Sequence, residues 1–269
     1  MKKLRLFIFL FIAFIFSLFF GCVTASTPSK SLPPESKLSY TEHILYGYPG
    51  TQGTILYRKG YVLDHDNNKK VASWVSYHLT DKYLVQNVKR TDNFRPDPDL
   101  PRGQRSELAD YDHSGYDRGH LAPAEGMRRD KQTESETFLL SNMAPQVGVG
   151  FNRGIWKELE AKVRRWTKQR KNIYVITGPI YNGKNYETIG PNKVAVPTSF
   201  YKIIISCTPK GDNLDAIAFI LPNKKSPSNT FGNYITTIDE VEKETGLDFL
   251  RDLNDQIENT LEAEKSSMW

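Results

Sequence analysis

Tyr116-Asp117-Arg118-Gly119-His120-Leu121-Ala122-Pro123-Ala124 gathers a carboxylate, a guanidinium and an imidazole around one glycine. An imidazole is the side chain best suited to moving protons near neutral pH, and a guanidinium presents a planar fork of donors to a phosphate. A lone histidine is more often a half-buried ring satisfied by a backbone carbonyl. With Asp117 and Arg118 beside it, His120 reads instead as a general base, the group that hydrolysis of a phosphodiester needs on its attacking water. Gly119 lets the chain approach a substrate closely.

Two segments downstream extend this reading. Leu140-Ser141-Asn142-Met143-Ala144-Pro145-Gln146 is followed by Phe151-Asn152-Arg153-Gly154-Ile155-Trp156-Lys157-Glu158-Leu159-Glu160. From Arg153 to about Lys171 the apolar positions Trp156, Leu159, Val163 and Trp166 recur at intervals of three and four, which predicts an amphipathic helix with Asn152 at its N-cap. Asn152 is then either a plain cap or a neutral amide offering its carbonyl oxygen to a hard cation such as magnesium. His43, His65, His78 and His113 show no clustering at metal-ligand spacing, which argues against zinc.

Working outward, residues 54–63 and 71–80 alternate as strands do, with the turn-rich Asp64-His65-Asp66-Asn67-Asn68 between them, and predict a hairpin. Residues 92–116 carry prolines and glycines among many charges and read as a long ordered loop, a feature usually tied to function. Residues 173–176, 200–206 and 216–221 are further strand candidates, and residues 234–264 predict one or two closing helices broken at Gly246. Strands and helices mix without regular alternation, so the expected class is α+β with a largely antiparallel sheet.

The chain has 269 residues, enough to bury a substantial core. At its start Lys2, Lys3 and Arg5 precede an unbroken apolar run from Leu6 to Phe20, which reads as an export signal over residues 1–22. Three outcomes stay open: lipidation at Cys22 after Gly21, cleavage after the small residues Val23-Thr24-Ala25, or an uncleaved anchor. Each places the remainder outside the cytoplasm, membrane-anchored as a lipoprotein or secreted. Residues 23–38 are rich in Ser, Thr, Pro and Lys and read as a flexible tether; residues 39–262 form the predicted domain and 263–269 a tail.

Only Cys22 and Cys207 occur, so no internal disulfide survives loss or lipidation of Cys22. Removing Lys2, Lys3 and Arg5 from the formal charge of +5 leaves +2, so bulk charge says little about a polyanionic partner. Its distribution says more: Lys162, Arg164, Arg165, Lys168, Arg170 and Lys171 crowd one segment, either a phosphate-binding face or a solvated helix surface.

The set DRGHLAPA, LSNMAPQ and FNRGIWKELE resembles the DNA/RNA non-specific endonuclease family, the endonuclease G-like ββα-metal nucleases. VITGPIY, VAVPTSFYKIII, AIAFILPN and ETGLDFL resemble later segments in the same order, so the likeness covers residues 39–261. It implies the ββα-metal fold, with a largely antiparallel central sheet flanked by helices, and an endonuclease that cuts DNA and RNA without sequence preference to leave 5′ phosphates. His120 is then the general base, Asn152 the one direct protein ligand of Mg2+ (with Mn2+ able to substitute), and Glu160 the holder of a metal-bound water. Eight residues of helix separate Asn152 from Glu160 by about 12 Å of rise, which suits a water-mediated role for Glu160.

The resemblance further implies that Arg118 contacts the scissile phosphate and that Asn142 orders the site. A second arginine comes from the loop before the motif, with Arg90 preferred over Arg95, while Asp117 has the least defined task. A homodimer is a further assembly to test. Two other readings use the same residues: a non-catalytic nucleic-acid-binding surface lipoprotein, and a metal-dependent phosphodiesterase for small substrates.

Overall fold

Strands form where β-branched and aromatic residues concentrate, and most run longer than those short apolar stretches suggest. The computed structural model describes residues 41–207, 214–227 and 230–269; the candidate export signal, Cys22 and the tether lie outside the described residues. The expected strand over 54–63 is two strands. β1 (Thr54–Tyr57) turns at Arg58–Tyr61, where Arg58 N donates to Tyr61 O at 2.8 Å, and returns as β2 (Val62–Asp66). Asp64 and His65 therefore belong to a strand rather than a turn. Buried Asp64 accepts hydrogen bonds from the backbone N–H groups of Gln52 (2.9 Å) and Gly53 (3.0 Å), which satisfies a carboxylate inside the sheet.

The next strand, β3 (Val71–Thr80), is followed by the short helix α1 (Leu108–Tyr111), then β4 (Tyr116–His120), helix α2 (Lys131–Glu136) and β5 (Met143–Val147). Helix α3 (Lys157–Arg170) leads into β6 (Asn172–Ile180), the two-residue strands β7 (Thr188–Ile189) and β8 (Val194–Ala195), then β9 (Ser199–Cys207) and β10 (Leu214–Pro222). The chain closes with β11 (Ile235–Thr236), α4 (Ile238–Thr245) and α5 (Asp255–Ala263). Seven strands make the main sheet in the order β1-β2-β3-β6-β9-β10-β11, with every neighbouring pair antiparallel. This is the α+β, largely antiparallel architecture the sequence implied.

Both faces of that sheet are covered, and β9 shows how the sequence divides them. Phe200 and Ile204 join the core that holds Trp156, Leu159, Val163 and Trp166 from the α3 side; Tyr201, Ile203 and Ile205 join the core that holds Ile238 and Val241 of α4. The period of two is that of a strand buried on both sides. A charged residue interrupts it: Lys202 falls on the α3 face and is fully buried.

β4 and β5 pair apart from the main sheet, with Arg118 opposite Pro145 and His120 opposite Met143. The charged loop before them is fixed from inside. Arg58 forks onto Asp97 at 2.7 and 2.8 Å and onto Asp99 at 2.8 Å, and Arg105 donates to the carbonyls of Asp97 and Leu100. No helix among the described residues is long and apolar enough to cross a membrane.

Candidate active site

The motif folds as β4 because it has a partner, the run Met143–Val147, and Gly119 is required where they meet. A Cβ on Gly119 would lie 2.1 Å from the side chain of Gln146, closer than any real contact. At the end of β4, the carbonyl of His120 accepts from Trp156 Nε1 at 3.2 Å, tying the hairpin to the start of α3. Asn142, fully buried, closes the other side: its Oδ1 accepts from Ala122 N, and its Nδ2 donates to the carbonyls of Ala122 and Thr137, all at 2.9 Å. Asn142 lies outside the cleft wall and acts on the site by holding the backbone that follows His120.

The His120 ring sits edge-on to two aromatic rings, Phe138 at 5.2 Å and Phe94 at 5.8 Å between centroids. Each carries an arginine. The Arg118 guanidinium lies 4.4 Å over Phe94 and that of Arg90 5.0 Å over Phe138, so the two cations flank the imidazole. Arg90 is further held by Asp92 at 2.6 Å. Arg95 does not reach the cleft; its guanidinium is used on the carbonyls of Asn93 and Ser135. Of the two loop arginines, only Arg90 faces the site.

Nε2 of His120 is sealed from bulk solvent and has no hydrogen-bond partner. Burial, with a smaller push from the Arg90 charge, lowers the pKa of this imidazole to about 3. It is therefore neutral at physiological pH and holds a free lone pair, the form a general base requires.

Asn152 departs from the expected N-cap. The helix begins only at Lys157, and Gly148–Trp156 form an irregular turn broken at Val149, Gly150 and Gly154. Gly150 takes φ +87°, a left-handed conformation that glycine adopts without cost. The separation of about 12 Å expected for an unbroken helix therefore does not apply, and Asn152 and Glu160 line one cleft of about 570 Å³ with His120, Arg118 and Arg90.

Asp117 acquires a definite role here. Its carboxylate accepts from Asn152 Nδ2 at 2.8 Å and pairs with Arg153 at 2.9 Å. The Asp117 carboxylate thus holds the Asn152 amide by its nitrogen and leaves Oδ1 without a protein partner.

Glu160 has one oxygen, Oε1, buried without a donor. Burial raises its carboxyl above the usual glutamate range, opposed by the positive charges of Lys202, Arg164 and Arg90. Lys202 was missed in the sequence because a lysine in an apolar strand reads as an edge or an outward position. Its ammonium lies 4.2 Å over the Trp156 ring and 3.3 Å from Thr177 Oγ1, and burial lowers its pKa to about 8. Asn152 and Glu160 bring an amide oxygen and a carboxylate, both hard donors, to the wall of one cleft, a set that fits a divalent cation with retained waters.

The basic run on α3 is partly spent within the fold. Arg170 pairs with Asp215 at 2.7 Å and covers Trp269, and Lys171 pairs with Asp81 at 3.0 Å.

Comparison with known proteins agrees with this geometry. The profile described as DNA/RNA non-specific endonuclease matches residues 39–256. Nuclease C1 of Cunninghamella echinulata var. echinulata is 43% identical over 229 residues, covering 80% of this chain and 90% of the relative. A nuclease of a Nostoc species is 34% identical over 270 residues, covering 94% of this chain and 96% of the relative. In space, a chain of the solved EndoG/EndoGI complex superposes with a TM-score of 0.76 at 38% identity, over 83% of this chain and 95% of that one. Hairpin β4–β5 followed by α3 is thus the ββα-metal unit, and with a match this long on both sides of it the protein belongs to the DNA/RNA non-specific endonuclease family.

Proposed function

We propose that the protein is an exported, Mg2+-dependent nuclease that hydrolyses DNA and RNA without sequence preference and leaves 5′ phosphates. One observation carries this reading: a neutral, unpartnered imidazole opens on the same cleft as two arginines and the Asn152 amide held by Asp117. Asn152 would hold the cation directly and Glu160 would hold one of its waters. When bound, the cation neutralises phosphate charge and stabilises the leaving 3′ oxygen.

The chain's own residues supply the rest. The His120 imidazole takes the proton of the attacking water. Arg118 and Arg90, each on its aromatic shelf, orient the scissile phosphate and oppose the charge that builds on it. None of these groups addresses a base edge or a 2′ hydroxyl, which is why both nucleic acids are expected substrates and sequence preference is expected to be weak.

Export rests on Lys2, Lys3 and Arg5 before the apolar run Leu6 to Phe20, and a lipid anchor on Gly21-Cys22. Pairing of two copies belongs to the same reading and is measured by sedimentation of the purified protein. The decisive assay incubates the protein with supercoiled DNA and with RNA, in magnesium or in EDTA, beside His120→Ala. Magnesium-dependent cutting of both substrates, lost in the variant and leaving ends that accept ligation as 5′ phosphates, is the expected result. Binding without cutting overturns it, and so does cleavage confined to small phosphodiesters.

A further inference from the structure

Helix α5 buries one residue, and that residue is a glutamate. Glu262 is only 6% exposed, although a carboxylate is among the side chains least often buried without a partner. Its Oε1 is shut off from solvent with no hydrogen-bond donor. It faces two acids of helix α4: ligand oxygens of Asp239, Glu242 and Glu262 all lie within 4.8 Å of one another. Among the described residues no lysine or arginine pairs with any of the three; the nearby Lys243 is engaged by Glu240 at 3.1 Å.

Left alone, this arrangement is unfavourable twice over, through desolvation of Glu262 and through repulsion among like charges. A bound cation removes both. We propose that Asp239, Glu242 and Glu262 form a calcium site, separate from the catalytic cleft, that pins α5 to α4. Oxygens held about 2.3–2.6 Å from one calcium ion can span the observed separation, whereas magnesium, at about 2.0–2.1 Å, demands a tighter and more regular shell.

The chemistry of each position suits calcium. Asp239 is exposed and Glu242 half-buried, which leaves one side of the ion open to waters, as its larger coordination number requires. Glu242 is fixed in place because its Oε1 accepts from Phe249 N at 2.6 Å. Ile238 and Val241 anchor α4 in the core, while α5 contributes only the partly buried Leu261 to the same cluster, so α5 is the element with most to gain.

Calorimetric titration with CaCl2 in excess magnesium tests the site. Asn152→Ala serves as the background, so that the catalytic cleft does not contribute. One calcium per chain should bind, with a rise in unfolding temperature that magnesium does not reproduce. Adding Glu262→Gln should weaken binding at least about tenfold, and so should the exposed substitution Asp239→Asn, which leaves the buried packing untouched. Absence of a calcium-dependent heat and thermal shift in the Asn152→Ala background overturns the proposal. Undiminished binding in both acid variants does so as well.

Discussion

At the residue scale, burial and one carboxylate prepare two side chains. His120 is kept neutral by its aromatic surroundings, so its protonation differs between folded and unfolded chains. The folded pKa, near 3, lies below the unfolded value, so His120 contributes stability that is present above about pH 6.5 and lost as pH falls toward 3. The stability of His120→Ala relative to wild type should therefore improve as pH drops from about 6.5 to 4, measured by denaturant unfolding at each pH. A pH-independent difference contradicts a neutral, desolvated ring. Asp117→Ala frees the Asn152 amide to rotate and should raise the magnesium concentration needed for half-maximal cutting by about 10–100-fold while leaving the fold intact. Asp117 stood first in the motif yet its task was not legible in sequence, since its partners are Asn152 and Arg153, 35 and 36 residues away.

At the scale of elements, the hairpin β4–β5 and the broken turn before α3 make the site. Gly119→Ala drives a methyl group into Gln146 and should cost about 1–3 kcal/mol, read as a lowered unfolding temperature together with lost activity. The buried Lys202 supplies the largest charge opposing the burial of Glu160. Lys202→Met should destabilise the protein by about 3 kcal/mol, and Glu160→Gln in the same chain should restore part of it, because the single change strands a buried carboxylate. Additive losses in that cycle would show the two groups to be independent. Periodicity revealed α3 and the two closing helices because apolar spacing is a local property. It misplaced the helix start because Gly150 and Gly154 interrupt the backbone while the apolar positions Phe151, Ile155 and Trp156 continue the pattern across the break. The 54–63 stretch misled in a similar way: Arg58–Tyr61 lacks the Asn-Gly signature of a tight hairpin, so alternation ran unbroken through a turn.

At the scale of the whole molecule, the seven-stranded sheet is a wall between two cores, and the catalytic unit lies on the α3 side of it. His120, Arg118, Asn152 and Glu160 could be singled out in sequence because they sit in two compact motifs; Arg90, named only through the resemblance, and Phe94 reach the same cleft from a distant loop, and buried Phe138 backs the His120 ring, none of them with a spacing signal. The proposed chemistry divides labour, with the base on β4 and the cation held after β5. Single-turnover cleavage of a DNA oligonucleotide across a magnesium titration separates the two. His120→Ala should lower the maximal rate by about 10²–10⁴-fold with its magnesium midpoint unchanged, and Asn152→Ala should move that midpoint upward. An unchanged midpoint in Asn152→Ala, or a full maximal rate in His120→Ala, would contradict the account.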